Sequence, residues 1–559
     1  MQLKIFLIIV LLLYQTVAYS KASDKNDFNP RYLSNYFSAL LSYDNQKNKD
    51  ALKYFENSKV LIKQHDNFLR EYVFSLVLDG QVSKAIKEVK FSKSQNNSNF
   101  FEANLLMVLD SIKKKNFKQA SLKLQKLEIV SQRETYQLII IKTLEDYNNL
   151  FRYKKIQDNN NNFGKLDMIS EAFQNCYVGS LKTNSYFLNL INSPEGDYSR
   201  YLFFYLGNLL ENSEFKSAKE ISETIDPLRN SLLITQAKNW LDNENYKRFK
   251  EYFSCKNEND LLAEFFFLIS NLYSSQDRLE DSNFYLNISN YLNAKFYFNL
   301  SLIAENYFSK ENFKLTKTIL NKFSEKDEIY RWYKIKKLAQ IYGEEGNVEK
   351  SLNYLNIKVK EFKKPSIKIL YDIANIYKNF KNYKKAIDYY SEVLSRLDEN
   401  SLAYADILYR RGGSFERIGE YKKSDRDLLR SLEIRPDDPY TLNYLAYGWL
   451  ERDYKIGEAI EMLNKAYDQK KNDPYISDSV GWGYFLIGDY INAEKYLKRA
   501  VELLPDDPIA GDHYGDVLWK LNRKIQAKYF WENALKSEEA DEKMKEIIKI
   551  KLLYGLENI

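Results

Sequence analysis

An all-α solenoid of stacked two-helix units is the fold class the sequence predicts, on three observations. The first is a fixed period: Pro474 and Pro508, Gly481 and Gly515, Ala493 and Ala527, and Ala500 and Ala534 are each 34 residues apart. The second is composition. Hydrophobic residues make up 44% of the chain, which excludes disorder, and only 18 Gly and 9 Pro argue against an all-β fold with its many tight turns. The third is length, because 559 residues exceed one ordinary core and demand several domains or a repeat array.

The elements of one unit follow from position in 474–507. Val480 and Gly481 are the paired large and small residues of the first helix, and Tyr484 is the aromatic one turn on. Gly488 closes the turn. Ala493, Leu497 and Ala500 mark the second helix, and Pro505 ends it. Small residues let helices cross closely while larger ones fill the gaps. A single hairpin cannot bury its apolar face alone, so units must stack. This 34-residue helix–turn–helix pattern resembles the tetratricopeptide repeat.

The same marks recur along the chain. Ala459, Ser424, Ala386, Ser351, Thr316 and Ser282 hold the small second-helix position, and Gly412, Gly419 and Pro436 fall in step with Ser424. Tyr377, Tyr342, Tyr307 and Tyr273 keep the aromatic one. Ala51, Ala85 and Ala120 repeat near the start. We expect N-terminal repeats over 21–129, degenerate helical repeats over 130–258 and C-terminal repeats over 259–540. Ala218, Phe249 and Ala237 keep the pattern in the middle, where Asn159–Asn162 is a low-complexity loop. Residues 541–559 form a capping helix with Met544, Ile547, Ile548 and Leu552 on one face. About 14 helical pairs are expected in all.

Residues 1–20 read as a secretory signal: Lys4, then the apolar run Ile5–Leu13, then Ala18-Tyr19-Ser20, with cleavage expected after Ser20. An uncleaved anchor extended through Val17 is the alternative. Nine apolar residues fall short of the roughly 20 a bilayer span needs, and no later stretch reaches that length. The expected location is an exported compartment, a bacterial periplasm. The only cysteines, Cys176 and Cys255, could pair there or remain buried thiols. Neither lies near the cleavage site, so a bacterial lipid anchor is not expected.

Catalysis finds little to stand on. Two His and two Cys argue against zinc sites and His-dependent triads, and 83 basic against 77 acidic residues leave no nucleic-acid footprint. His65 reads as a solvated helix end. His513 and Asp512 are adjacent and point about 100° apart on a helix, so they do not form a base pair for catalysis. No metal, cofactor or nucleic acid is expected.

Other proteins or peptides are the expected partners. In such arrays the second, fifth, ninth and twelfth residues of each first helix line a concave groove. These are Tyr440, Asn443, Tyr447 and Leu450, then Tyr475, Asp478, Trp482 and Phe485, then Ile509, Asp512, Asp516 and Trp519. Aromatic platforms with a few fixed polar groups suit an extended peptide or a helix, and the acidic fifth-position column disfavours capture of a free carboxylate. In the alternative, Trp482 and Trp519 merely pack between helices.

From about Asp437 to Leu535 the likeness is closer. Asp478-Ser479, Gly481-Trp482 and Phe485, with Asp512-His513, Gly515-Asp516 and Trp519, are similar to segments of an exported proteobacterial tetratricopeptide family. The resemblance implies a periplasmic, non-enzymatic adaptor that brings a carboxyl-terminal processing protease and its clients together. An assembly factor for outer-membrane or polysaccharide machinery is the alternative, and an enzyme with a site in about 130–250 is another.

Overall fold

The computed structural model describes residues 29–556, except 46, 64, 66, 93–98, 132–133, 158–162 and 195–196. The expected signal at 1–20 and the Asn159–Asn162 loop lie outside the described residues. Among these there are thirty α-helices and no strand, and the fold is an all-α tetratricopeptide solenoid. Two compact units make it up.

The first unit joins the described residues up to Glu220 with Trp240–Lys326. Its hairpins include Phe68–Leu78 with Val82–Ser92, Phe101–Lys113 with Phe117–Val130, and Glu258–Ser274 with Leu279–Leu292. These do not stack only in chain order. Phe74 stacks on Phe284 at 4.3 Å, Asn287 donates to the Leu78 carbonyl and Lys113 Nζ to the Tyr291 carbonyl. Helix 279–292 is thus buried on both flanks, which explains why its residues 282–289 carry no exposed stripe. Cys176 and Cys255 form a disulfide with 5.9 Å between Cα atoms.

The second unit joins Ile221–Asn239 with the described residues from Asp327 on. Its thirteen helices after Asp327 are numbered α1 (Glu328–Glu344), α2 (Val348–Val359), α3 (Ile367–Asn379), α4 (Tyr383–Leu394), α5 (Leu402–Glu416), α6 (Tyr421–Ile434), α7 (Pro439–Leu450), α8 (Ile456–Gln469), α9 (Pro474–Leu486), α10 (Tyr490–Leu503), α11 (Pro508–Lys520), α12 (Lys524–Lys536) and α13 (Glu542–Tyr554). The starts of α7, α9 and α11 share one device. Asp438, Asp473 and Asp507 accept backbone N–H groups of the first turn, and the proline that follows has no N–H to satisfy. The turn after α9 needs a left-handed residue, Gly488 at φ 81°. One period later Asn522 takes that place at φ 61°.

Three successive cores fill the hairpins: one over 329–408, one over 428–480 and one over 493–548. The small positions are closed contacts. Ala386, Ala459, Ala493 and Ala527 are wholly buried. Where serine replaces alanine its hydroxyl must find a partner, and Ser351 Oγ donates to the Ala339 carbonyl of the first helix at 2.6 Å. The aromatic of the first helix meets a second aromatic twelve residues later, as in Tyr377–Tyr389 at 5.7 Å and Tyr484–Tyr496 at 5.6 Å. A Cβ on Gly481 would lie 2.5 Å from Leu497 Cγ and 3.0 Å from the Leu497 backbone nitrogen. Gly481→Leu should therefore lower stability by about 2 kcal/mol through overpacking, read as a lower urea midpoint, whereas Gly448→Ala, with open space around it, should not.

One segment of this unit is neither hairpin nor cap. Asp226 Oδ1 accepts from the Leu228 and Arg229 amides, which turns the chain tightly. Leu228 is then buried in the 329–408 core, with Trp332, Ile369 and Leu370 among its residues. Lys368 Nζ donates to the Leu228 carbonyl at 2.9 Å, and the Arg229 guanidinium pairs with Asp406.

Candidate interaction cleft

The first helices α5, α7, α9 and α11 bring their faces to one cleft of about 520 Å³ in the second unit. Of the residues the repeat register put in a groove, Asn443, Tyr447, Tyr475 and Asp478 line it, as does Ile509. Tyr475 is largely exposed, so its ring is free to cover a ligand. The Asn443 side-chain oxygen is buried and meets no hydrogen-bond donor among the described residues. A buried acceptor left unmet costs about 1–3 kcal/mol, so the Asn443 amide gains from any turn of its side chain that brings the oxygen to a donor in the cleft.

The register did not place Tyr444, Glu451, Arg452 and Asp507, which also line the cleft. Tyr444 lies one residue past the fifth position and Glu451 just beyond the helix. The packing of successive first helices, α7 on α9 and α9 on α11, brings them to one cleft. Tyr447 shares a hydrogen bond with Glu451, and burial, followed by the charge of Glu451, raises its phenol above the ordinary range.

Other expected groove residues lie elsewhere. Tyr440 is half exposed and outside the cleft lining. Trp482 stacks on His513 at 4.0 Å and on Phe485 at 4.8 Å, so both aromatics are engaged within the array. His513 has a carboxylate partner, though not its neighbour Asp512: Nδ1 lies 3.0 Å from both oxygens of Asp478, one repeat earlier. This fits helix geometry, since adjacent residues diverge while equivalent helices abut.

Asp512, Asp516 and Trp519 are covered by the last helix. Lys551 of α13 reaches Asp512 Oδ2 and Asp516 Oδ2, both at 2.7 Å, and Trp531 Nε1 donates to the other oxygen of Asp516 at 2.9 Å. Trp519 lies against Gly555 and 5.3 Å from Trp531. These three side chains hold the cap rather than line an open groove. His65, at the other end of the chain, is exposed beside Tyr36.

Two buried groups here respond to pH in the same sense. Burial opposes a charge on His513, but Asp478 first, then Asp512 and Asp516, outweigh it and raise its pKa above 6.5. Its charge stabilises fully below 6.5, and that stability is lost as pH rises through the folded value. Burial, joined by Asp512 and opposed by Lys551, pushes Asp516 up to about 6. A raised carboxyl favours the folded state as it protonates, so stability grows as pH falls through about 6. The 474–554 module should therefore melt higher at pH 5.5 than at pH 8.5. His513→Asn should flatten the part above 6.5, and equal melting of the native module at both pH values would refute the assignment.

Comparison with known proteins finds a tetratricopeptide repeat within the chain. A tetratricopeptide repeat family model matches residues 367–396, which holds α3 and α4. A TPR repeat-containing protein of Pseudomonas aeruginosa is 33% identical over 111 residues, 20% of this chain. That match spans 19% of the relative's own length. Among solved structures, a tetratricopeptide repeat protein from Parabacteroides merdae aligns over 46% of this chain and 98% of its own, at 18% identity and a TM-score of 0.38. A thermophilic TPR protein of Thermus thermophilus covers 34% of this chain and all of its own, at 17% identity and 0.30. With the closed small-residue contacts and aromatic pairs that recur from hairpin to hairpin, the match at 367–396 identifies a tetratricopeptide repeat within this chain.

Proposed function

We propose that this chain is a non-enzymatic scaffold of the bacterial envelope that binds extended segments of other proteins in the α5–α11 cleft. Tetratricopeptide arrays serve protein–protein interaction, and the observation that carries the reading here is the cleft itself. Tyrosine faces surround the Asn443 amide, whose oxygen meets no donor among the described residues. Tyr offers contact area at small entropic cost, and the Asn443 oxygen supplies a directed acceptor for a peptide N–H.

The finer assignment is an adaptor that brings a carboxyl-terminal processing protease together with its clients. The family-like segments at Asp478–Phe485 and Asp512–Trp519 support it. Holding enzyme and client on one frame raises their effective concentration and asks no chemistry of the scaffold. Export is supported by the signal-like residues 1–20 and by the Cys176–Cys255 disulfide, a bond typical of oxidising compartments.

The test is affinity capture from envelope extract, followed by mass spectrometry and reconstitution with the purified protease. Native chain should recover the protease and accelerate its cleavage of a client. Tyr447→Ala with Tyr475→Ala should reduce recovery about tenfold while helicity is unchanged, since buried aromatic anchors dominate such contacts. Full recovery with the double variant would remove the cleft from the function.

A further inference from the structure

We infer that the cleft selects a basic residue, arginine or lysine, within an extended segment of its partner. The inference rests on the peptide-binding reading above and adds the chemistry of the ligand.

The array already holds one non-helical segment, its own Asp226–Asn230, in a tight turn, and the contacts show how. Lys368 and Asp406 each precede their second-helix small residue, Ala386 or Ser424, by 18 positions. Tyr475 precedes Ala493 by the same interval, so all three occupy one register. At this register Lys368 binds the Leu228 backbone carbonyl and Asp406 binds the Arg229 guanidinium, while Leu228 is buried between them. Backbone is gripped by a cation, and side-chain identity is read by a carboxylate.

Further along, the same register carries Tyr475 and Ile509, both exposed at the cleft, and among the described residues no segment is laid across them. The charge balance of the cleft decides what fits. Four carboxylates line it: Glu416, Glu451, Asp478 and Asp507. Two of them face cations, Asp478 meeting His513 and Glu416 meeting Arg417 at 3.5 Å. The remaining cation, Arg452, is taken by Asp425 through two bonds of 2.8 and 3.2 Å. Glu451 and Asp507 have no ion pair among the described residues. The charge left over is therefore negative, and it sits among the rings of Tyr421, Tyr444, Tyr447 and Tyr475. Carboxylate together with an aromatic face is the chemistry that receives a guanidinium or ammonium, and it repels an acidic or phosphorylated segment.

The experiment uses the full chain and a fluorescein-labelled peptide of residues 224–232, beside its Arg229→Glu version, read by fluorescence anisotropy at two salt concentrations. The arginine peptide should bind about tenfold tighter than the glutamate peptide and lose affinity with salt. Glu451→Lys, an exposed change that spares the core, should weaken the arginine peptide about tenfold and narrow or invert the preference. Equal binding of both peptides, abolished by Tyr447→Ala, would overturn the basic preference and leave the peptide-binding reading standing. Binding insensitive to Glu451→Lys but lost with Asp406→Asn would place the peptide at the self-occupied site and overturn the inference. No binding of either peptide would overturn it as well, and unchanged protease capture by the tyrosine variants would then remove the underlying reading separately.

Discussion

Lys551→Met should undock the last helix, at a cost of about 3–5 kcal/mol to the C-terminal module. Lys551 is almost wholly buried, and its ammonium is shared by Asp512 and Asp516 at 2.7 Å each. Remove the cation and two carboxylates remain in a dry site, one already with an oxygen that no group satisfies. Breaking a buried pair from one side leaves an uncompensated charge, which costs far more than the pair is worth as a whole. Hydrogen exchange over 542–554 should rise to the level of an unprotected helix, while α3–α6 stay protected. A combined Lys551→Met, Asp512→Leu, Asp516→Asn variant should recover most of the loss. Unaltered protection of Ile548 in the single variant would show that apolar contacts alone dock α13.

Loss of the Cys176–Cys255 bond should cost the first unit about 4.5 kcal/mol, by the loop-entropy relation for a closure of this size. The two residues lie 79 apart in sequence, and both are buried. A long closed loop restricts the unfolded chain strongly, so most of the effect resides in that state. Cys176→Ser with Cys255→Ser should lower the urea midpoint of the first unit, and chemical reduction of the native chain should give the same curve. Coincident curves for native, reduced and serine forms would show that the bond closes no loop of consequence to folding.

The repeat part of the fold was legible because its determinants are local. Gly481 and Leu497, or Tyr484 and Tyr496, meet across one hairpin, so a period in sequence becomes a contact without reference to distant chain. The candidate site was legible only in part. The register located Asn443, Tyr447, Tyr475 and Asp478, but could not tell an open position from a covered one. Asp478 and Asp512 are equivalent by spacing; one lines the cleft and the other lies under Lys551. What differs is the next helix, a repeat in one case and a cap in the other, and the cap has no repeat register to align.

By itself the sequence determined the helical hairpin and its small and aromatic contacts. Tertiary structure alone decided that Leu228–Arg229 would occupy the array, that Phe74 would stack on Phe284, that two lone cysteines would bond and which carboxylates would stay uncovered. The physical reason is range. Period and capping act between residues a turn or a hairpin apart, whereas burial and charge pairing at these places join residues 79 to 210 positions apart, about which spacing carries no information.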